Sequence, residues 1–192
     1  KIDNTADKFM KWCENEFESP EKFLESLPSF DSFGVVFRYY NLKNRYSLAK
    51  AILRICRKKK FSLLIGADAK LSRQIGADGV HFPRWIKMAK PIPSSIISFS
   101  FHGYKDIRRS RDLNANLAFL SPIFETKSHL KTEPLGILRS SFLINSINMD
   151  CAGLGGINKN NITVALDENN KMGLLSLFAK NTDDLLIEPN YT

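Results

Sequence analysis

Seven short apolar runs, separated by stretches with helical spacing, constrain this chain more than any other feature. They lie at 34–39 (GVVFRY), 61–65 (FSLLI), 79–82 (GVHF), 96–100 (IISFS), 117–120 (LAFL), 149–154 (MDCAGL) and 172–177 (MGLLSL). Several are apolar throughout instead of alternating, the pattern of parallel strands buried on both faces. Between them, 46–60 carries Leu48, Ile52, Ile55 and Cys56 at helical intervals. The stretches 104–114 and 135–147 also read as helices, and 160–166 as a weaker one. Strand and helix in regular succession predict a parallel α/β architecture. The spacing fits a small (β/α)8 barrel or an open doubly wound sheet.

A barrel needs an eighth strand. The stub before Asp3 is the one place left for it, because 5–27 reads as one or two amphipathic helices broken near Ser19-Pro20. The first strand is therefore expected to be short or truncated. At 192 residues, 43% hydrophobic and 25% charged, the chain can bury one sizeable core, and a single domain over 1–192 is expected. No apolar run approaches the roughly 20 residues of a membrane span. No basic-then-apolar leader opens the sequence, so a cytoplasmic protein without a membrane partner is expected. Cys13, Cys56 and Cys151 form no CxxC and read as buried thiols of a reducing compartment.

The net charge of +8 favours anionic partners. Nucleic acid is not the expected one, since no RNP-like aromatic motif, zinc spacing or recognition helix accompanies the charge. The densest cationic run, Arg57-Lys58-Lys59-Lys60, suits the C-terminus of a helix, where it opposes the dipole.

Three loops concentrate chemistry. Gly153-Leu154-Gly155-Gly156-Ile157 follows a strand and precedes a helix, so its backbone N–H groups can approach an anion closely, although many turns need such glycines for geometry alone. The next strand carries Ser176, and in barrels the loops after strands seven and eight commonly share a phosphate. The segment 121–134, SPIFETKSHLKTEP, gathers donors for phosphate oxygens or is simply a solvated polar loop. Ser100 and His102 sit at another strand end.

Taken in order, GADGVH at 76–81, the S-x-H of Ser100 and His102, SPIF-x-T-x-S at 121–128, PLG at 134–136 and GLGGI at 153–157 resemble the thiamine-phosphate synthase and thiazole tautomerase superfamily. The resemblance spans roughly 34–178. It implies a small phosphate-binding TIM-type barrel of thiamine biosynthesis. Its transferase activity would join hydroxymethylpyrimidine diphosphate to thiazole phosphate. Arg38 matches the arginine that contacts the pyrimidine diphosphate, and Ser100, Thr126 and Ser128 match hydroxyls around the diphosphate. Gly155, Gly156 and Ser176 match the thiazole-phosphate cradle. His129 stands where the family has a lysine, which makes Arg38, Ser100 and His129 the catalytic candidates, with His102 and Arg84 beside them. A homodimer is one assembly open to such a protein.

Departures accompany the match. Of the family's Gln-x-Arg-x-Lys, Val36-Phe37-Arg38-Tyr39-Tyr40 keeps only the arginine. The family's Asn-Asp pair is Gly66-Ala67, and a further aspartate is Ile86. Those two aspartates hold Mg²⁺ in the family, so the expected cofactor lacks its ligands and no metal ligand is assigned. Mg²⁺ neutralises the charge of a departing diphosphate and depends on hard oxygen anions to hold it. Asp68 could restore one ligand, not two; alternatively Arg84, with Lys70 or Arg73, supplies positive charge directly, unless the last two are outward-facing helix residues. The tautomerase histidine is Pro122, and His81 reads as a packed strand residue. Two readings stay open: a divergent synthase or related enzyme acting on a thiazole phosphate, and a non-catalytic barrel that binds thiazole phosphate or thiamine phosphate.

Overall fold

Parallel pairing dominates the computed structural model, which describes residues 19–27, 33–87, 95–125, 133–157, 161, 172–174 and 185–189. Strands β1 (Phe33–Phe37), β2 (Ser62–Gly66), β3 (Gly79–Phe82), β4 (Ile96–Phe101), β5 (Leu117–Leu120), β6 (Asp150–Gly153) and β7 (Met172–Leu174) each pair in parallel with the next. The described helices are α1 (Pro20–Ser26), α2 (Arg45–Lys59), α3 (Ala69–Ile75), α4 (Lys105–Asp112) and α5 (Gly136–Asn145).

Strand parity divides the core into layers. Phe33, Val35 and Phe37 of β1 pack outward with Ala49, Ile52 and Cys56 of α2. Further round, Val80, Phe99, Phe101 and Leu120 pack outward with Leu143 and Ile144 of α5. The opposite parity forms a smaller inner cluster of Val36, Leu64, Phe119, Ala152 and Leu154. Val36 and Ala152 belong to strands five places apart in the sheet, so their sharing one cluster requires the sheet to curl on itself. The result is a parallel α/β fold of TIM-barrel type.

An eighth strand, β8 (Leu185–Pro189), was not expected. It pairs antiparallel with β1 and also lies against β7. The sheet edge reserved for a short first strand is thus occupied from the C-terminal side; the stub before Asp3 lies outside the described residues. The expected helix at 160–166 is described only at Asn161, and β7 only to Leu174.

Local chemistry explains the element ends. Ser19 caps α1 by accepting from the Lys22 N–H, with Pro20 in the first turn. Lys60 ends α2 at φ 61°, and the basic run before it occupies the last turn, as its sequence suggested. Asp68 caps α3 by accepting from the Leu71 N–H at 2.8 Å, and Lys70 and Arg73 are exposed on that helix. Asp78 accepts from Leu63 N–H and from Arg57 Nη1, both at 2.8 Å, and so fastens α2 to the start of β3. Cys56 and Cys151 are buried, and loss of solvation pushes both thiols up to about 12. Among the described residues no helix is long and apolar enough to cross a membrane.

Gly79 marks the tightest strand contact. A Cβ there would stand 2.0 Å from the Ile96 carbonyl oxygen and 2.7 Å from Leu64 Cδ2. Gly79→Ala is expected to cost about 3 kcal/mol, the upper end of typical overpacking. Urea denaturation at neutral pH measures this; an unchanged midpoint would contradict the β3–β4 spacing.

Candidate functional site

The carboxyl ends of the parallel strands gather the polar residues that the barrel interior cannot bury unpaired. Inner parity places His81 of β3 beside Ser98 and Ser100 of β4 and against the ring of Phe119, 5.2 Å away. His81 is 3% exposed, with Nδ1 3.0 Å from Ser98 Oγ and Nε2 3.3 Å from Ser100 Oγ. Burial, reinforced by the charges of Arg38, Arg109 and His102, pushes its pKa down to about 3. The imidazole is therefore neutral at physiological pH, donating to one serine and accepting from the other. His81 is packed, as the sequence suggested, and it also holds the Ser100 hydroxyl in place.

Arg109 of α4 closes the neighbouring strand ends. Its Nε donates to the Ile86 carbonyl at 2.8 Å and its Nη1 to the Ser100 carbonyl at 3.0 Å. Its Nη2 donates to the carbonyls of Phe82 at 3.0 Å and Pro83 at 2.5 Å. The guanidinium is buried over the Phe99 ring. Burial lowers its pKa, Asp106 opposes that, and the nearby charge of Arg84 adds to it. Asp106 also accepts from the His102 N–H at 2.9 Å. His102 Nδ1 lies 2.6 Å from the Ser121 carbonyl oxygen, so that nitrogen carries a proton and donates.

Arg45, at the start of α2, plays the same part at the end of β2. It donates from Nη1 to Asp68 Oδ2 at 3.2 Å and from Nη2 to the Gly66 carbonyl. Its guanidinium lies 5.6 Å from the Phe37 ring centre and 5.9 Å from that of Tyr40. Burial lowers its pKa while Asp68 raises it.

Across the sheet, the turn after β6 meets the loop after β5. Gly155 and Gly156 have φ of 87° and 69°, a region that favours glycine. A Cβ on Gly155 would lie 2.9 Å from Pro122 Cα, and one on Gly156 2.3 Å from the Glu125 carbonyl oxygen. Close backbone approach is thus the visible reason for both glycines. The Ile123 N–H donates to Leu154 O at 2.7 Å and Phe124 N–H to Gly155 O at 3.0 Å, which zips the two segments together.

Among the sequence candidates, Arg38, Ser100 and His102 cluster around His81, while Arg84 stands exposed beside Arg109. Gly155 and Gly156 lie on the turn just described. Thr126, Ser128, His129 and Ser176 lie outside the described residues. Sequence reasoning missed Arg45 and Arg109. Arg109 sits in Arg108-Arg109-Ser110-Arg111, which looks like a solvated helix face, and only the fold turns one of these side chains inward.

The residues present do not fit Mg²⁺. Ala67, at one of the two matching aspartate positions, offers no oxygen from its methyl side chain, and a Cβ on the neighbouring Gly66 would lie 2.9 Å from both the Phe37 carbonyl oxygen and Tyr40 Cε1. Asp68 already accepts from Leu71 N–H through Oδ1 and from Arg45 through Oδ2. Ile86 packs against the outer core. Among the described residues no group of three His, Cys, Asp or Glu is placed to hold a metal.

Residues 25–172 match the family model described as thiamine monophosphate synthase. A protein of Aquifex aeolicus provisionally named thiamine-phosphate synthase 2 is 33% identical over 75% of this chain and 82% of its own. A Prochlorococcus marinus thiamine-phosphate synthase is 33% identical over 59% of this chain, but the match spans only 34% of that longer protein. Among solved structures, a thiamine phosphate pyrophosphorylase from Pyrococcus furiosus superimposes with a TM-score of 0.64 at 18% identity, covering 86% of this chain and 81% of its own. A citrate synthase reaches 0.52 at 9% identity over 81% and 79% of the two chains, so at this level similarity of structure reports fold and not chemistry.

The environment of His81 has a measurable consequence. With its folded pKa near 3 against an ordinary 6.5, the unfolded chain takes up a proton below pH 6.5 that the folded chain refuses. Stability should therefore fall as pH drops from 6.5 towards 3, and His81→Gln should lose that contribution. In NMR titration the His81 ring protons should show no inflection between pH 5 and 8; an inflection near 6.5 would contradict the buried neutral imidazole.

Proposed function

The chain belongs to the thiamine monophosphate synthase family, and on that premise we propose that it joins hydroxymethylpyrimidine diphosphate to thiazole phosphate, releasing diphosphate. One observation carries the reading: the Ser100 hydroxyl is held by His81 at a strand-end mouth where Arg38, Arg84 and Arg109 concentrate positive charge. An anionic leaving group is what such a mouth recognises.

Ser100 donates its hydroxyl proton to a diphosphate oxygen. For that, His81 presents its Nε2–H to Ser100 Oγ and accepts from Ser98 at Nδ1, the tautomer that frees the Ser100 proton. Arg38 contacts the diphosphate directly. The Gly155-Gly156 turn offers backbone donors to the thiazole phosphate, with Ser176 completing that cradle. Thr126, Ser128 and His129 are the further donors assigned to the diphosphate on the family pattern. Phosphorylated metabolites of this kind place the reaction in the cytoplasm.

The second reading is a barrel that binds thiazole phosphate or thiamine phosphate without coupling. It is favoured by one observation, that among the described residues no carboxylates are grouped to hold the metal that ordinarily assists diphosphate departure.

A coupling assay with both substrates separates the two. Product formation supports the synthase; saturable thiazole-phosphate binding without product at high protein concentration supports the binding barrel. In an active protein, Ser100→Ala should lower kcat by roughly a hundredfold, as expected for removal of one preorganised donor. A kcat unchanged by Ser100→Ala would remove Ser100 from the site.

A further inference from the structure

Two guanidinium groups, one at the end of β2 and one at the ends of β3 and β4, are held in place almost entirely by carbonyl oxygens. Arg109 donates to the carbonyls of Phe82, Pro83, Ile86 and Ser100, and among the described residues no carboxylate lies within hydrogen-bond distance of it. Arg45 divides its donors between the Gly66 carbonyl and Asp68. Its Nε is buried and has no hydrogen-bond partner among the described residues, an unspent donor at the mouth. Arg38 and Arg84 add their charges from the ends of β1 and β3. Among the described residues the carboxylates facing this set are Asp68 and Asp106, each already accepting a hydrogen bond from a backbone N–H group. Positive charge therefore exceeds negative at this rim.

We infer that Arg45 and Arg109 neutralise a bound diphosphate as fixed charges, so that this site recognises the anion without a divalent metal. The inference rests on the proposed function above, which places the diphosphate at this rim.

Guanidinium suits the task. It stays ionised when buried, because its intrinsic pKa leaves a wide margin. The carbonyls replace part of its hydration before any ligand arrives, so little further desolvation accompanies binding. Its charge also acts through a medium less screening than water, which strengthens its pull on an anion. A divalent cation has the reverse problem. It would enter a rim already crowded with arginines, where neither Ala67 nor Ile86 offers an oxygen from its side chain. A purely mechanical role, in which the two arginines only clamp strand ends, predicts no effect on anion affinity once the variants are folded.

Calorimetric titration of the full chain with inorganic diphosphate, in EDTA and again in excess Mg²⁺, tests this. The expected result is the same affinity in both buffers. Arg45→Gln, checked for folding by circular dichroism, should weaken binding by roughly tenfold, the cost of one charged hydrogen-bonding group. Arg45→Lys should retain more affinity than Arg45→Gln. Arg109→Gln should act in the same direction; should it fail to fold, the Arg45 pair and the wild-type titrations still decide. Binding that requires Mg²⁺, or a folded Arg45→Gln with wild-type affinity, would overturn the inference while leaving the anion site standing. Absence of binding in both buffers would overturn the placement of the diphosphate itself.

Discussion

The grip of Arg109 on four carbonyl oxygens organises this end of the molecule. Parallel strands all bring their carboxyl ends to the same rim, and each buried carbonyl there that lacks a partner in the sheet needs one elsewhere. By taking the carbonyls of Phe82, Pro83, Ile86 and Ser100, a single guanidinium fixes the exits of β3 and β4 relative to each other. That fixes the two serines of β4 opposite His81, and with them the direction of the Ser100 hydroxyl. The same guanidinium helps keep the His81 imidazole neutral. Packing, hydrogen bonding and electrostatics are therefore coupled at one residue that no motif announces.

Much of the fold was legible because apolar runs flanked by helices have few other solutions. The runs at 79–82 and 117–120 coincide with β3 and β5, and the others lie within two residues of the observed starts. The exception is β8. Leu185-Leu186-Ile187-Glu188-Pro189 is short, ends in proline and has no preceding helical stretch, so nothing local distinguishes it from a tail. Its pairing with β1 comes from an exposed edge elsewhere in the chain. Of the site, Arg38 and Ser100 were legible through their positions in a family pattern. Arg45 and Arg109 were not, because an arginine on a helix reads as solvated until the fold shows carbonyls within its reach. Gly155 and Gly156 were singled out as an anion cradle, and what the fold shows for them is a packing reason. Both are required by contact with Pro122 and the 124–125 backbone, whatever they bind.

The family match and the departures from it are two aspects of one rim. Alanine at 67 and isoleucine at 86, where the matching positions carry aspartates, remove the anionic half of a metal site. Arg45 then bonds to the carbonyl at position 66 and Arg109 to that at position 86. On the proposed reading, positive charge for an anionic substrate is supplied by the chain itself, without an ion to deliver it. A surplus of fixed positive charge suits a synthase and a binding barrel alike; the chemistry, not the charge, separates those two.

The central claim is the location of the anion, and a crystal structure of the full chain grown with inorganic diphosphate and Mg²⁺ tests it most directly. The account predicts diphosphate within hydrogen-bond distance of Ser100 Oγ and Arg38, with no metal between it and the protein. Diphosphate bound elsewhere, or held at this rim through a coordinated Mg²⁺, would contradict it.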